Sequence, residues 1–411
     1  MKKKILAFTL ILVSFTIIFA GCDFDLLEED VSEEGQQEVR YREGEFVAEI
    51  AKENTLQQSK ALSTSETYLK VFEYPDKSRE EVEETLLAEG YQVKSVFPNL
   101  EFSVTKEEVQ ATRNDLPWNL EMANIPKAYS HFADKLEEQE DVKIAVLDTG
   151  IDPQHESLEG FVDEGLTGNF TDDEPEDVHG HGTHVAGIIA AHSELAGVME
   201  EATLINIKVL SDSGFGTYDG ILAGIDYAVE IGADVVNMSL GGFIPAREEN
   251  AIRIYDKVLE SALNRGTLVV AAAGNSSATI SSGRGGMYPA ASPYSLAVGA
   301  SNEEKRVANY SNFGDDLHLV APGSAIYSAL PGDRYATMSG TSMAAPHVAG
   351  LAGLLRAVDS ELAAEDKFDI IKGAGNQDIL AVEYEEQYTG SGHMDVYKAI
   401  NHYYIGDYLP D

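Results

Sequence analysis

The sequence predicts an α/β fold in which a parallel β-sheet carries helices on both faces and follows a small α+β unit. Short apolar runs bounded by turn residues alternate with longer helical patterns, as in parallel strands joined by crossover helices. The runs are apolar throughout, which is typical of strands buried on both faces. The predicted strands are 142–147, 204–209, 235–239, 268–272 and 296–300, and the predicted helices are 184–191, 217–231, 247–265 and 342–357.

The N-terminus has the pattern of an export signal. Three lysines follow Met1, and an apolar run from Ile5 to Ala20 is too short to span a membrane comfortably. Phe19-Ala20-Gly21-Cys22 then resembles the processing site of bacterial lipoproteins, where the cysteine receives lipid. We therefore expect a signal peptide over 1–21, a lipid on Cys22 and a location on the extracytoplasmic face of the cell membrane. Ordinary secretion is the alternative.

Residues 22–66 are polar, acidic and poor in aromatic side chains, which predicts a flexible tether. A helix within 39–60 is only weakly indicated. Cys22 is the only cysteine of the chain, so no disulfide can form within it.

Residues 67–112 predict the small α+β unit. The segment 68–72 alternates as a strand does, and 92–96 and 100–104 predict two more strands. Ser78 and Glu81 have the spacing of a capping box, which predicts a helix that ends at Gly90.

The composition excludes one class of partner. The chain has 411 residues and a formal net charge of −41, with a pI near 4.4. Such a surface repels nucleic acid and anionic lipid headgroups, so we expect neither to be bound electrostatically. The charge serves solubility, or adapts the protein to saline or alkaline surroundings.

Three stretches each supply one member of a hydrolytic triad. They are Val146-Leu147-Asp148-Thr149-Gly150-Ile151-Asp152, His181-Gly182-Thr183-His184-Val185-Ala186-Gly187 and Gly340-Thr341-Ser342-Met343-Ala344-Ala345-Pro346-His347. A serine hydroxyl needs a base to take its proton, and a histidine suits that task near neutral pH. A buried carboxylate fixes the imidazole tautomer and stabilises the imidazolium.

These motifs, in the order Asp, His, Ser, resemble those of the subtilisin-like serine proteases over residues 116–400. The resemblance implies a catalytic domain over 113–411 and a serine endopeptidase that works through an acyl-enzyme without a cofactor. It implies that Asp148 orients, that His181 is the general base and that Ser342 is the nucleophile. Extended polypeptides are the implied substrates.

Other interpretations of the same residues are weaker. His179, His181 and His184 lack the spacing of a zinc protease motif such as His-Glu-x-x-His, which argues against metal catalysis. Asp172, Asp173, Glu174, Glu176 and Asp177 crowd the loop before His181. Their field is expected to favour the imidazolium and raise the pKa of His181, which would shift activity toward alkaline pH.

The resemblance also implies the residues that bind substrate. The Asn275 amide and the backbone N–H of Ser342 match the family's oxyanion donors. An extended substrate would pair with two peptide-binding edges and enter a pocket with Met287 near its floor, where the family often has Gly. This side chain favours medium-sized apolar residues before the scissile bond. The edges and pocket walls are Ser213-Gly214-Phe215-Gly216, Ser239-Leu240-Gly241-Gly242 and Ala273-Gly274.

The family's tight calcium site is expected to be absent. The position of its carboxylate aligns with Ser157, and its loop is reduced to His192-Ser193-Glu194-Leu195-Ala196. Calcium takes six to eight oxygens, so these losses remove most of the ligands. A weaker calcium site that uses the carboxylate of Glu156 or Glu194 is the alternative.

The unit over 67–112 resembles the family's inhibitory, fold-assisting propeptide. It departs from that pattern at its end, because little room remains before Leu116 for a final strand. A permanent spacer or a substrate-docking module is the alternative. For the whole protein, the rivals are a catalytically silent or substrate-restricted surface binding protein on the same fold, and a protease that processes one membrane partner.

Overall fold

The computed structural model describes residues 39–51, 67–104, 118–136, 142–192 and 195–405. All of them fall within one compact unit that extends from Gln37 to Asp411. The predicted signal peptide, Cys22 and part of the predicted tether lie outside the described residues. In the described part of the chain, no helix is both long enough and apolar enough to cross a membrane.

The centre of the molecule is a seven-stranded sheet whose neighbouring strands are all parallel. Its strands are β4 (Lys143–Asp148), β5 (Gly168–Asn169), β6 (Thr203–Lys208), β8 (Val235–Met238), β10 (Leu268–Ala272), β13 (Leu296–Ser301) and β14 (Leu319–Pro322). They lie in the order β14-β13-β10-β8-β4-β6-β5. The predicted parallel sheet is confirmed, and β5 and β14 extend it at its two edges.

Helices cover both faces of this sheet, so each strand contributes to two cores. In β4, Ile144 and Val146 pack into one apolar cluster, whereas Ala145 and Leu147 pack into the other, because side chains alternate along a strand. The second cluster is covered by α5 (Tyr218–Glu230) and α6 (Glu249–Asn264). The first is covered by α3 (Ile125–Leu136), α4 (His181–Ala190), α7 (Thr341–Val358), α8 (Ala364–Gly373) and α10 (Val396–Ile405). Two short helices complete the set, α2 (Trp118–Met122) and α9 (Glu386–Thr389).

The four predicted helices are present with small changes at their ends. The largest change is that α4 begins at His181 and not at His184. Gly180 has a φ of +95°, a left-handed conformation that glycine adopts without steric cost, and it ends the preceding loop. His181 therefore occupies the first position of a helix that is buried throughout.

The N-terminal unit consists of β1 (Tyr41–Ala51), β2 (Thr67–Glu73), α1 (Arg79–Ala88) and β3 (Val93–Val104). The capping box is confirmed, since the Ser78 and Glu81 side chains each accept a hydrogen bond from the other's backbone N–H. The flexible tether and the weakly indicated helix are wrong for Tyr41–Ala51, which form a strand. The two strands predicted over 92–96 and 100–104 are one continuous strand.

Strand β3 joins the N-terminal unit to the rest of the molecule. Its first part pairs antiparallel with β1, and its last residues pair with β7 (Phe215–Thr217) and β9 (Leu240–Pro245). The resulting sheet has the order β11-β12-β9-β3-β1-β2, where β11 is Ser281–Ser282 and β12 is Gly285–Tyr288. A separate hairpin is formed by β15 (Ile326–Leu330) and β16 (Arg334–Met338).

Two ion pairs also link the N-terminal unit to the segments around α6. The Arg79 guanidinium donates to both carboxylate oxygens of Glu248 at 2.7 Å each. The Arg253 guanidinium lies 2.5 Å from a carboxylate oxygen of Glu49. Both carboxylates are nearly inaccessible to solvent, which strengthens their electrostatic attraction relative to a surface pair.

Three fully buried histidines are expected to make the fold sensitive to acid. Burial lowers the pKa of His184 to about 3 and those of His347 and His393 to about 4. As pH falls below about 6.5, these histidines bind protons in the unfolded chain but stay neutral in the folded chain, so the free energy of unfolding decreases. Each histidine then contributes a loss of about 1.4 kcal/mol per pH unit toward pH 4.

Urea unfolding of a Ser342→Ala chain, chosen to prevent self-digestion, would measure this loss at pH 8, 6 and 5. An unfolding free energy that is equal at pH 6 and pH 5 would contradict the prediction. Replacing His393 by Gln should make the pH dependence shallower.

Candidate active site

A buried carboxylate and a buried histidine meet at the carboxyl edge of the central sheet. Asp148 is the last residue of β4, and His181 is the first residue of α4. The Asp148 Oδ1 atom lies 2.6 Å from His181 Nδ1, and neither side chain is exposed. Because a carboxylate only accepts, Nδ1 carries the hydrogen, and the neutral ring then has its lone pair on Nε2.

Ser342 lies in the first turn of α7, which packs against α4. The Ser342 hydroxyl donates to the carbonyl oxygen of Ser239 at 3.0 Å, and the Ser239 hydroxyl donates back to the carbonyl of Ser342 at 2.8 Å. The start of a helix favours negative charge through its dipole and its unpaired N–H groups. Ser342 is thus held beside the peptide-binding edge that Ser239 begins.

The Asn275 amide is fixed next to Ser342. Its Oδ1 atom accepts from both the backbone N–H and the hydroxyl of Thr341, each at 2.9 Å. The same hydroxyl accepts from the Gly274 N–H at 3.0 Å, and Gly274 has a φ of +101° that favours glycine. These bonds set which end of the amide faces Thr341.

A second buried carboxylate, Asp177, ties the Asp148 loop to the start of α4. Its oxygens accept from the Thr149 hydroxyl (2.9 Å), the Gly180 N–H (2.8 Å), the Thr183 N–H (2.9 Å) and the Thr183 hydroxyl (2.6 Å). From the sequence, Asp177 was predicted only as one of the charges of the acidic loop. Its position four residues before His181, at a helix start, is the signal that could have distinguished it.

The two predicted peptide-binding edges are β7 and β9, and β3 of the same chain lies between them. Ser103 is opposite Phe215 on one side and opposite Gly241 on the other. The Val104 N–H also donates to the carbonyl of Gly214 at 3.1 Å. The end of β3 is therefore bound as an extended peptide, by backbone hydrogen bonds on two sides.

The comparisons with known proteins agree with this arrangement. A family model described as the subtilase family matches residues 139–386, more than half of the chain. The chain belongs to the subtilase family. It is a subtilisin-like serine endopeptidase.

The alignments with two relatives in this family cover most of each relative's length. The chain is 38% identical over 268 residues to the "Major intracellular serine protease" of Bacillus subtilis, covering 63% of this chain and 80% of that protein. It is 36% identical over 269 residues to "Thermitase" of Thermoactinomyces vulgaris, covering 63% and 88%. A solved structure of a cold adapted subtilisin-like serine proteinase matches with a TM-score of 0.55 and 32% identity, covering 62% of this chain and 88% of that one.

This subtilase has a cluster of three aromatic side chains at the end of β3 that was not predicted from the sequence. The Phe102 ring of β3 stacks on Tyr255, with centroids 5.8 Å apart, and lies against Tyr218 at 6.4 Å. All three side chains are buried. Tyr218 comes two residues after the predicted edge 213–216, which was the available signal, whereas Tyr255 comes from α6.

Met287, on β12, lies where the resemblance placed a pocket floor. A Cβ atom built on Gly241 would lie 3.2 Å from its sulfur, and one built on Gly274 would lie 3.6 Å from its Cγ. The side chain therefore sits between the backbone of β9 and that of Gly274.

The region of the family's calcium site is held by direct protein contacts. The Ser157 hydroxyl lies 2.9 Å from the Tyr335 hydroxyl, which donates to Glu156 at 2.7 Å. The Ser157 carbonyl accepts from the His192 N–H at 3.1 Å. Among the described residues, no group of three or more His, Cys, Asp or Glu side chains is arranged to hold a metal.

Replacing Asn275 by Ala is expected to lower kcat by about 10²–10³, the range typical of losing an oxyanion donor in this family. The reason is that the donor acts on charge present only in the transition state, so KM should change little. Steady-state kinetics on a peptide anilide, per active site titrated with a fluorophosphonate, would measure it. An unchanged kcat would remove the assignment.

Proposed function

We propose that this subtilase hydrolyses peptide bonds through an acyl-enzyme on Ser342, with His181 as base and Asp148 as its orienting carboxylate. The main support is the 2.6 Å contact between Asp148 and His181 in a fully buried setting. A buried carboxylate in this position stabilises the imidazolium that forms during catalysis.

In the proposed steps, His181 first takes a proton and then returns it. His181 takes the Ser342 proton while the hydroxyl oxygen attacks the scissile carbonyl carbon. The negative charge that develops on the carbonyl oxygen is met by the Asn275 amide and the Ser342 N–H. The C–N bond then breaks as His181 returns the proton to the leaving amine. Water then attacks the acyl carbon as His181 takes its proton, the ester bond to Ser342 breaks, and His181 returns the proton to the Ser342 oxygen as the carboxylic acid leaves.

We propose that the N-terminal unit inhibits the enzyme by filling its cleft. The support is that β3 pairs with both β7 and β9 and that Phe102 packs against Tyr218 and Tyr255. The far end of β3 belongs to a strand that also pairs with β1, so one strand serves the N-terminal sheet and the cleft. Cleavage after this strand, between residues 105 and 116, would free the site.

We propose a preference for medium-sized apolar residues before the scissile bond. Met287 carries this proposal, since its side chain lies between Gly241 and Gly274. A large aromatic residue would have to displace it.

We propose that Cys22 is lipidated and holds the enzyme at the extracytoplasmic face of the cell membrane, with secretion as the alternative. The sequence motif alone supports this, and two relatives carry names that describe them as intracellular. Membrane fractionation of the full chain beside Cys22→Ala tests it, because only the unaltered chain should sediment with membranes.

Labelling with a fluorophosphonate tests the proposed chemistry. The full chain should be labelled and Ser342→Ala should not, because the reagent needs an activated serine. Intact mass of the same samples should show a cut between residues 105 and 116 only where Ser342 is present. A folded chain that is neither labelled nor cut would favour the silent surface binding protein or a zymogen that is still inhibited.

Replacing Met287 by Gly should deepen the pocket and shift the preference toward large aromatic residues, by about 10-fold or more in relative kcat/KM. A peptide library that varies the residue before the scissile bond would measure the shift. Val382→Gly, at an exposed apolar residue of the catalytic domain, is the control. An identical profile for Met287→Gly and the unaltered chain would refute the pocket assignment.

Chelation should leave the thermal stability of this enzyme unchanged, because protein contacts occupy the region where the family binds its tight calcium ion. The melting temperature of Ser342→Ala would be measured in EDTA and in millimolar calcium. A rise of several degrees with calcium would reveal a site, such as one using Glu156 or Glu194.

A further inference from the structure

A fully buried lysine lies at the junction of the catalytic and peptide-binding segments. Lys208 is the last residue of β6 and pairs in register with Asp148 of β4. Its side chain has no exposed surface. A buried ammonium group costs several kcal/mol unless hydrogen bonds and an opposite charge replace its water.

The three N–H groups of this ammonium meet three different segments. Lys208 Nζ donates to the Thr149 carbonyl at 2.5 Å, to the Glu176 carbonyl at 3.3 Å and to the Asp212 carboxylate at 2.9 Å. Thr149 follows Asp148 directly, and Glu176 lies in the loop that leads to His181. Asp212 lies in the turn before β7, one of the two edges that hold the extended strand.

Asp212, the carboxylate partner of Lys208, is itself hydrogen-bonded to the acidic loop. The Asp212 N–H donates to a carboxylate oxygen of Asp173 at 2.7 Å, so the turn before β7 is tied to the acidic loop as well. The Asp212 side chain is 39% exposed, whereas Lys208 is fully enclosed. One buried lysine therefore bonds to the turn before β7, to Thr149 after Asp148 and to the loop that leads to His181.

We propose that Lys208 is a positioning residue that couples the peptide-binding edge at β7 to the Asp148–His181 pair. The inference rests on the proposed endopeptidase function and on β7 as a substrate edge. Without the ammonium, the Thr149 and Glu176 carbonyls lose a donor, and the loops that follow Asp148 and lead to His181 can shift. Displacements near 1 Å are enough to cost about 100-fold in rate.

The test compares Lys208→Met, Lys208→Arg and Asp212→Ala on two substrates, with rates per active site titrated by a fluorophosphonate. One substrate is p-nitrophenyl acetate, which is too short to pair with β7. The other is a tetrapeptide anilide, which can. Lys257→Met, an exposed lysine of α6, is the matched control.

Lys208→Met should lower kcat about 30-fold or more on both substrates, because the catalytic loops serve both. Lys208→Arg should recover most of this loss, because it keeps the charge and the donors. Asp212→Ala should raise KM about 10-fold for the tetrapeptide and lower the ester rate much less than Lys208→Met does, because Lys208 keeps its bonds to the Thr149 and Glu176 carbonyls.

An unchanged kcat per titrated site in Lys208→Met, with only a lower melting temperature, would overturn the proposal and leave a structural lysine. If Lys208→Met does not fold, Asp212→Ala decides, and an unchanged KM for the tetrapeptide overturns the coupling. A chain that hydrolyses the ester and never the tetrapeptide would refute the endopeptidase function separately, and the ester would still report on Lys208.

Discussion

Buried charge at the carboxyl edge of the central sheet is the constraint on which the active site depends. Asp148, Asp177 and Lys208 all lie there, essentially without solvent. Each must be compensated by hydrogen bonds, because an unpaired buried charge would cost several kcal/mol. The partners they require are the loops that follow β4 and precede α4, and the turn before β7. The loops are therefore held in place by the same bonds that make the buried charges tolerable.

The cleft depends on a second constraint: the backbone groups of an exposed strand edge need hydrogen-bond partners, which an extended peptide supplies. Strand β3 pairs with the edges of β7 and β9 and packs Phe102 against Tyr218 and Tyr255. It is equally a member of the N-terminal sheet, through its pairing with β1. The N-terminal unit thus reaches the cleft through one rigid strand, and the two ion pairs at α6 fix its position from the side.

Local patterns were sufficient for much of this. The parallel sheet follows from apolar runs, and the positions of Asp148, His181 and Ser342 follow from motifs whose members are close in sequence. Strand β1 was missed because its glutamates suggested a solvated segment, and the burial of Glu49 depends on Arg253, far away in the chain. The single strand β3 was divided because Pro98 and Asn99 interrupt its pattern. Asp177 and Lys208 were not singled out, since only the tertiary structure shows which charges are enclosed.

The continuity of β3 with the rest of the chain has a consequence for competition. While the chain is intact, the occupant of the cleft is present at an effective concentration of the order of millimolar, whatever the amount of protein in solution. A free peptide of equal intrinsic affinity must exceed that concentration to displace it. Once the connection is cut, the same contacts become a bimolecular equilibrium, and simple dilution weakens them. A single cleavage of the chain would thus convert inhibition that does not depend on protein concentration into inhibition that dilution relieves.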